Sequence, residues 1–132
     1  MKTYLKYLLL FILGGAGYSL IEVLWRGYTH ISMTVTGGVC FLVLWFFNEK
    51  LRGGVFFKSV IGALFITAVE LVAGIIINIF LGLDVWDYSR LPYNFKGQIC
   101  LVYSFYWFVL CFLFYETVHM LDVFKKLRQI KN

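Results

Sequence analysis

The side chains in this sequence that could do chemistry are few, and several share helical spacing. Glu22 and Arg26 stand four residues apart, and with Gly15 and Ser19 they form one stripe of a helix. One turn apart, an acid and a guanidinium can close on each other as an ion pair. They can equally open onto a pocket, the acid taking a cation or proton and the arginine a phosphate. Glu70 has Gly74 at i+4 and Asn78 at i+8, and no basic residue within a turn. A carboxylate alone in an apolar setting must be neutral or find a partner on another element. The sequence leaves both a buried hydrogen bond and a functional carboxylate open, and the functional carboxylate is preferred here.

The run from Val85 to Gln98 collects more polar and aromatic groups. It holds the single proline, Pro92, with Trp86, Asp87, Tyr88 and Asn94. Between two apolar helices it either only connects them or forms the lid of a site. His30 lies close to Arg26 and reads as a hydrogen-bonding residue or a ligand. Glu116 and His119 are three apart, a spacing found in bundle metal sites. One copy is weak, so they read as an interfacial pair. Cys40, Cys100 and Cys111 lie in or beside apolar runs without paired spacing, so they read as small hydrophobes and not as metal ligands or disulfides. No cofactor motif stands out.

The elements that must position these groups are membrane helices. The chain has 132 residues, 61% hydrophobic and only 14% charged, against roughly 25% charged in a soluble chain. Its apolar blocks approach the ~20 residues that cross a bilayer. The expected fold is all-α: one domain over residues 1–132 with four transmembrane helices. They are placed at about 5–25, 33–47, 55–81 and 98–118, followed by a short basic amphipathic tail. The first apolar run is long for a signal peptide and reads as a retained helix. Ser32 reads as the N-cap of the second helix. The small residues Gly14, Gly15, Ala16 and Gly17 suit close helix packing in lipid.

Charge sets the orientation. Nine of the 12 Lys and Arg fall at the N-terminus, in the second connection and its flank, and in the tail, while the first and third connections hold Arg26, Arg90 and Lys96. The positive-inside rule then puts both ends in the cytoplasm. That asymmetry explains the net charge of +5 without a nucleic-acid partner.

The stretch Glu22-Val23-Leu24-Trp25-Arg26-Gly27-Tyr28-Thr29-His30, then Ser32-Met33 and Gly37-Gly38, resembles the putative ABC-transporter type IV family of small bacterial integral membrane proteins. Glu70, Gly74 and Asn78 followed by Val85-Trp86-Asp87-Tyr88-Ser89, then Pro92, Asn94 and Gly97-Gln98-Ile99-Cys100, resemble its second half. The resemblance spans about residues 14–107, and Ile31 departs from it, standing where the family has an aromatic residue. It implies a transport component in the bacterial cytoplasmic membrane. The chain has no Gly-rich phosphate loop with its Lys and Ser/Thr, so ATP-driven work implies a separate ATPase subunit.

The expected ligand-binding set is Glu22, Arg26, His30, Glu70, Asn78, Trp86, Asp87, Tyr88, Asn94 and Gln98, around an outward-facing polar pocket for a small solute or cation. Four helices are few for a whole carrier, so a homo-oligomer or partner subunit is expected. A noncatalytic structural or regulatory subunit is the first alternative. A membrane-embedded enzyme on a lipid or lipid-linked substrate is the second, and no nucleophile–base pair supports it. The orientation is tested by single cysteines at Ser89 and Gln129 in a chain without its native cysteines. An impermeant thiol reagent on intact cells labels Ser89 and spares Gln129; the reverse pattern inverts the topology.

Overall fold

The computed structural model describes residues 2–132, and four helices, each long and apolar enough to cross a membrane, account for most of the chain. They are α1 (Thr3–Arg26), α2 (Ile31–Lys50), α3 (Val55–Gly74) and α4 (Leu101–Lys131). Helices suit this composition because lipid offers backbone N–H and C=O groups no hydrogen bonds, so each segment must satisfy its own. The outer surface carries large apolar side chains such as Leu24, Ile31, Phe56 and Leu64, whereas Glu22, Ser59, Glu70, Asn78 and Gln98 are buried. The integral, multi-pass all-α expectation holds.

Two helical hairpins make the bundle. In the first, α1 meets α2 through small residues. A Cβ on Gly15 would come 2.7 Å from the Thr34 carbonyl oxygen, and one on Gly38 would strike the Phe11 ring. Ser19 Oγ and Thr34 Oγ1 lie 2.6 Å apart across this seam. At its far end Lys6 Nζ donates to Glu49 Oε1 at 2.8 Å, and Trp45 Nε1 donates to the same oxygen at 2.9 Å. In the second hairpin α3 lies along α4, with Gly62 against Cys111 and Thr67 Oγ1 2.9 Å from Ser104 Oγ.

Several boundaries differ from the sequence expectation. The cap of α2 is His30, not Ser32: its Nδ1 accepts from the Ser32 backbone N–H at 3.2 Å and sits 2.6 Å from Ser32 Oγ. The chain is already helical at Ile31, so His30 is the half-in residue and its ring nitrogen meets a free donor of the first turn. The third helical run ends as a π-helical stretch, Ile75–Phe80, where Leu81 N–H donates to Ile76 O at 2.9 Å. The fourth helix runs unbroken to Lys131 instead of ending near residue 118. No Gly or Pro stands between Leu101 and Lys131, and Arg128 and Lys131 face the negative end of its dipole. Two short strands, β1 (Asn94–Phe95) and β2 (Ile99–Cys100), pair antiparallel just before α4.

The glycines of α1 do different things. Gly15 lies in the α1–α2 seam, while a Cβ added at Gly17 meets nothing within 4 Å. Gly15→Leu should therefore destabilise the purified protein by about 1–3 kcal/mol, the cost of overpacking. Gly17→Leu should stay within about 0.5 kcal/mol, as substitutions without a clash do. Comparison of their denaturation in mild detergent checks this, and equal loss would contradict the seam.

Candidate functional site

The connection from α3 to α4 folds inward at one end of the bundle. Asn78, in the π-helical stretch, anchors it: Oδ1 accepts from Val85 N–H at 2.8 Å and Nδ2 donates to Gln98 Oε1 at 2.8 Å. Gln98 Nε2 donates to Lys96 O at 2.9 Å, and Trp86 Nε1 donates to Gln98 O at 3.0 Å. Gly74 permits this closeness, since a Cβ there would run into the Gln98 side chain and come 3.0 Å from the Trp86 ring. Lys96 and Gly97 turn the chain with positive φ of 53° and 69°. Val85 and Trp86 are thereby buried at 5% and 6% exposure.

The charges divide into two groups. Arg26 Nη2 donates to Glu22 Oε1 at 2.7 Å, and its Nη1 donates to Val85 O at 2.8 Å, tying α1 to the connection. The Tyr28 ring lies under the guanidinium, 4.5 Å from its centroid. Glu70, 5% exposed, has no cationic partner among the described residues. Instead Tyr88 Oη donates to its Oε1 at 2.8 Å and Trp107 Nε1 to its Oε2 at 2.9 Å. Tyr88 is fixed by stacking on Tyr103, with centroids 4.5 Å apart, and burial with the Glu70 charge holds its phenol above the usual tyrosine range.

A crevice with two lobes lies beside these groups, between the α1–α2 hairpin and α4. One lobe, about 250 Å³, is bordered by Gly17, Thr36, Cys40, Phe41, Glu70 and Cys111. The other, about 290 Å³, is bordered by Glu22, Trp25, Arg26, Tyr88, Tyr103 and Tyr106. Tyr18, Ile21, Met33, Trp86, Trp107 and Leu110 border both. Apolar and aromatic side chains dominate both borders, with Glu70 at the first lobe and the Glu22–Arg26 pair at the second. At the opposite end, Asn48, Lys58, Glu116, His119 and Asp122 surround a separate hollow of about 430 Å³. Among the described residues no three His, Cys, Asp or Glu side chains gather as metal ligands.

A family model described as Putative ABC-transporter type IV matches residues 9–132. The chain belongs to this family. No curated protein and no solved structure matches it. The type IV match covers nearly the whole chain, including both helical hairpins and the connection that packs between them.

Of the residues singled out in the sequence, the structure gathers Glu22, Arg26, Glu70, Asn78, Trp86, Tyr88 and Gln98 at one end of the bundle. Five of the ten expected ligand-binding residues, His30, Asn78, Asp87, Asn94 and Gln98, do not border the crevice. His30 caps α2. Asp87 points outward, where its Oδ1 accepts from Ser89 N–H at 2.9 Å. That bond, with Arg90 nearby, holds its carboxyl below the usual range. Asn94 organises the turn, donating to Leu91 O at 2.9 Å and accepting from Gly97 N–H at 3.1 Å. Trp107 and Tyr18 were not singled out, because an aromatic-rich helix gives no sign of which ring turns inward.

Arg26→Ala leaves Glu22 buried without a counter-charge and frees Val85 O. The expected loss is about 3 kcal/mol, the low end for a broken buried pair, because the Arg26 side chain keeps 24% exposure. Glu22→Leu combined with Arg26→Leu should recover part of that. Denaturation of the two variants side by side checks it, and a double variant worse than Arg26→Ala would contradict the pairing.

Proposed function

We propose that this chain is a membrane-spanning component of a transport system, with the crevice as the binding site for a small solute. The observation that carries this reading is Glu70. Its carboxylate borders a crevice of apolar and aromatic groups, and among the described residues its hydrogen bonds come from the neutral donors Tyr88 and Trp107. Intramembrane acids facing a cavity commonly mark ion, proton or solute pathways. The family description supports the transport context.

In this reading the connection carrying Trp86 and Tyr88 closes the crevice at the non-cytoplasmic face, and the basic ends lie in the cytoplasm of a bacterial cell. A separate ATPase subunit supplies the energy. Arg26 and Glu22 hold the connection to α1 and keep the second lobe neutral overall. One observation favours a noncatalytic structural subunit as the second reading: Glu22, Glu70, Asn78 and Gln98 all have partners within the chain.

The test is a thermal-stability screen of the purified protein against small solutes, repeated on two variants. Solutes that stabilise the parent by several degrees should lose that effect in Gly17→Leu, which fills the crevice, and in Glu70→Gln. Stabilisation indifferent to both substitutions would place binding elsewhere and favour the structural reading.

A further inference from the structure

The chemistry of the first lobe narrows the class of solute. Among the described residues, Glu70 is the one charged side chain bordering it. The remaining border is aliphatic, sulfur-bearing or aromatic, apart from the Thr36 hydroxyl. Three large aromatic rings, Tyr18, Trp86 and Trp107, border this lobe together with Glu70; Trp107 bonds the carboxylate and lies 5.9 Å from Tyr18 between centroids. The indole N–H groups of both tryptophans are already engaged, one on Gln98 O and one on Glu70. What these rings offer a ligand is therefore their π faces, which attract cations.

We infer that the crevice takes an organic ammonium whose cationic head lies among Tyr18, Trp86 and Trp107 beside Glu70, with its apolar substituent along the second lobe. This rests on the transport reading above and specifies its substrate class. A carboxylate with aromatic faces suits a bulky, weakly hydrated cation better than a small metal ion, which demands several oxygen ligands. Anions are disfavoured in this lobe by Glu70 itself. Neutral solutes would gain nothing from the charge. The two lobes share six bordering residues, so a head in the first lies beside side chains that also border the second. The lobe volumes, about 250 and 290 Å³, match a small alkyl- or arylammonium, each lying just below the usual range for ligand pockets.

The probes are benzyltrimethylammonium and neopentylbenzene, which share a shape and differ in the charge. Each is titrated into the full chain in lipid nanodiscs, with tryptophan emission as the readout. Saturable binding of the ammonium at least tenfold tighter than the hydrocarbon is expected. Glu70→Gln should remove most of that difference, and Gly17→Leu should abolish saturable binding of both. Equal affinity for the two probes on the parent chain would overturn the ammonium assignment while leaving the crevice as a solute site, and needs no variant to fold. A preference that survives Glu70→Gln would overturn it too. A saturable response that is missing for both probes, or unchanged by Gly17→Leu, would remove the crevice reading along with it.

Discussion

A carboxyl group set inside an apolar bundle must be met by donors from the protein, and Glu70 organises its end of this molecule around that need. Its two oxygens draw Tyr88 from the α3–α4 connection and Trp107 from α4 onto one point of α3. The connection can reach only because Asn78 and Gln98 satisfy its buried backbone and Gly74 leaves room for it. An unsatisfied amide at this depth would cost about 1–3 kcal/mol. One hydrogen-bonded set runs from Trp86 through Gln98 and Asn78 to Val85, and Tyr88, two residues further along, ties the same connection to Glu70. Arg26 joins that set to the first hairpin.

The same arrangement explains why a crevice persists. Within each hairpin, glycines and hydroxyls bring the backbones close. Between the hairpins the side chains are large, and the rings of Tyr18, Trp25, Tyr106 and Trp107 stand across the gap and touch at their edges or at an angle. Bulky rings held at an angle do not fill space completely, and the remaining volume collects beside the buried charges.

Much of the architecture is legible in the sequence. The length of the apolar runs dictates the four spans, and the four-residue spacing of Glu22 and Arg26 puts them within reach of each other without deciding between a pair and an open pocket. Glu70 announces itself by having no local partner. What it pairs with is not legible, because Tyr88 and Trp107 reach it only through the rotation of α4 and the path of the connection. Asp87 illustrates the limit: it lies between two inward residues, Trp86 and Tyr88, and in extended backbone the middle side chain takes the opposite side. The Lys6–Glu49 pair joins residues 43 apart and depends on the register of two helices. The cap at His30 turns on a two-residue shift in where α2 begins.

The polar ties between the hairpins lie towards the two ends of the bundle. At one end Arg26 grips Val85 O and Trp25 Nε1 reaches Tyr103 Oη at 3.4 Å; at the other Tyr115 Oη donates to Leu44 O at 2.8 Å and Lys58 Nζ to Asn48 O at 3.2 Å. A frame pinned by hydrogen bonds top and bottom and joined at its waist by ring contacts has its compliance at the waist. The crevice lies at that waist, where the hairpins meet through apolar and aromatic side chains that can shift without breaking a hydrogen bond. The bundle is thus stiff where its polar atoms are joined and elastic where it is hollow.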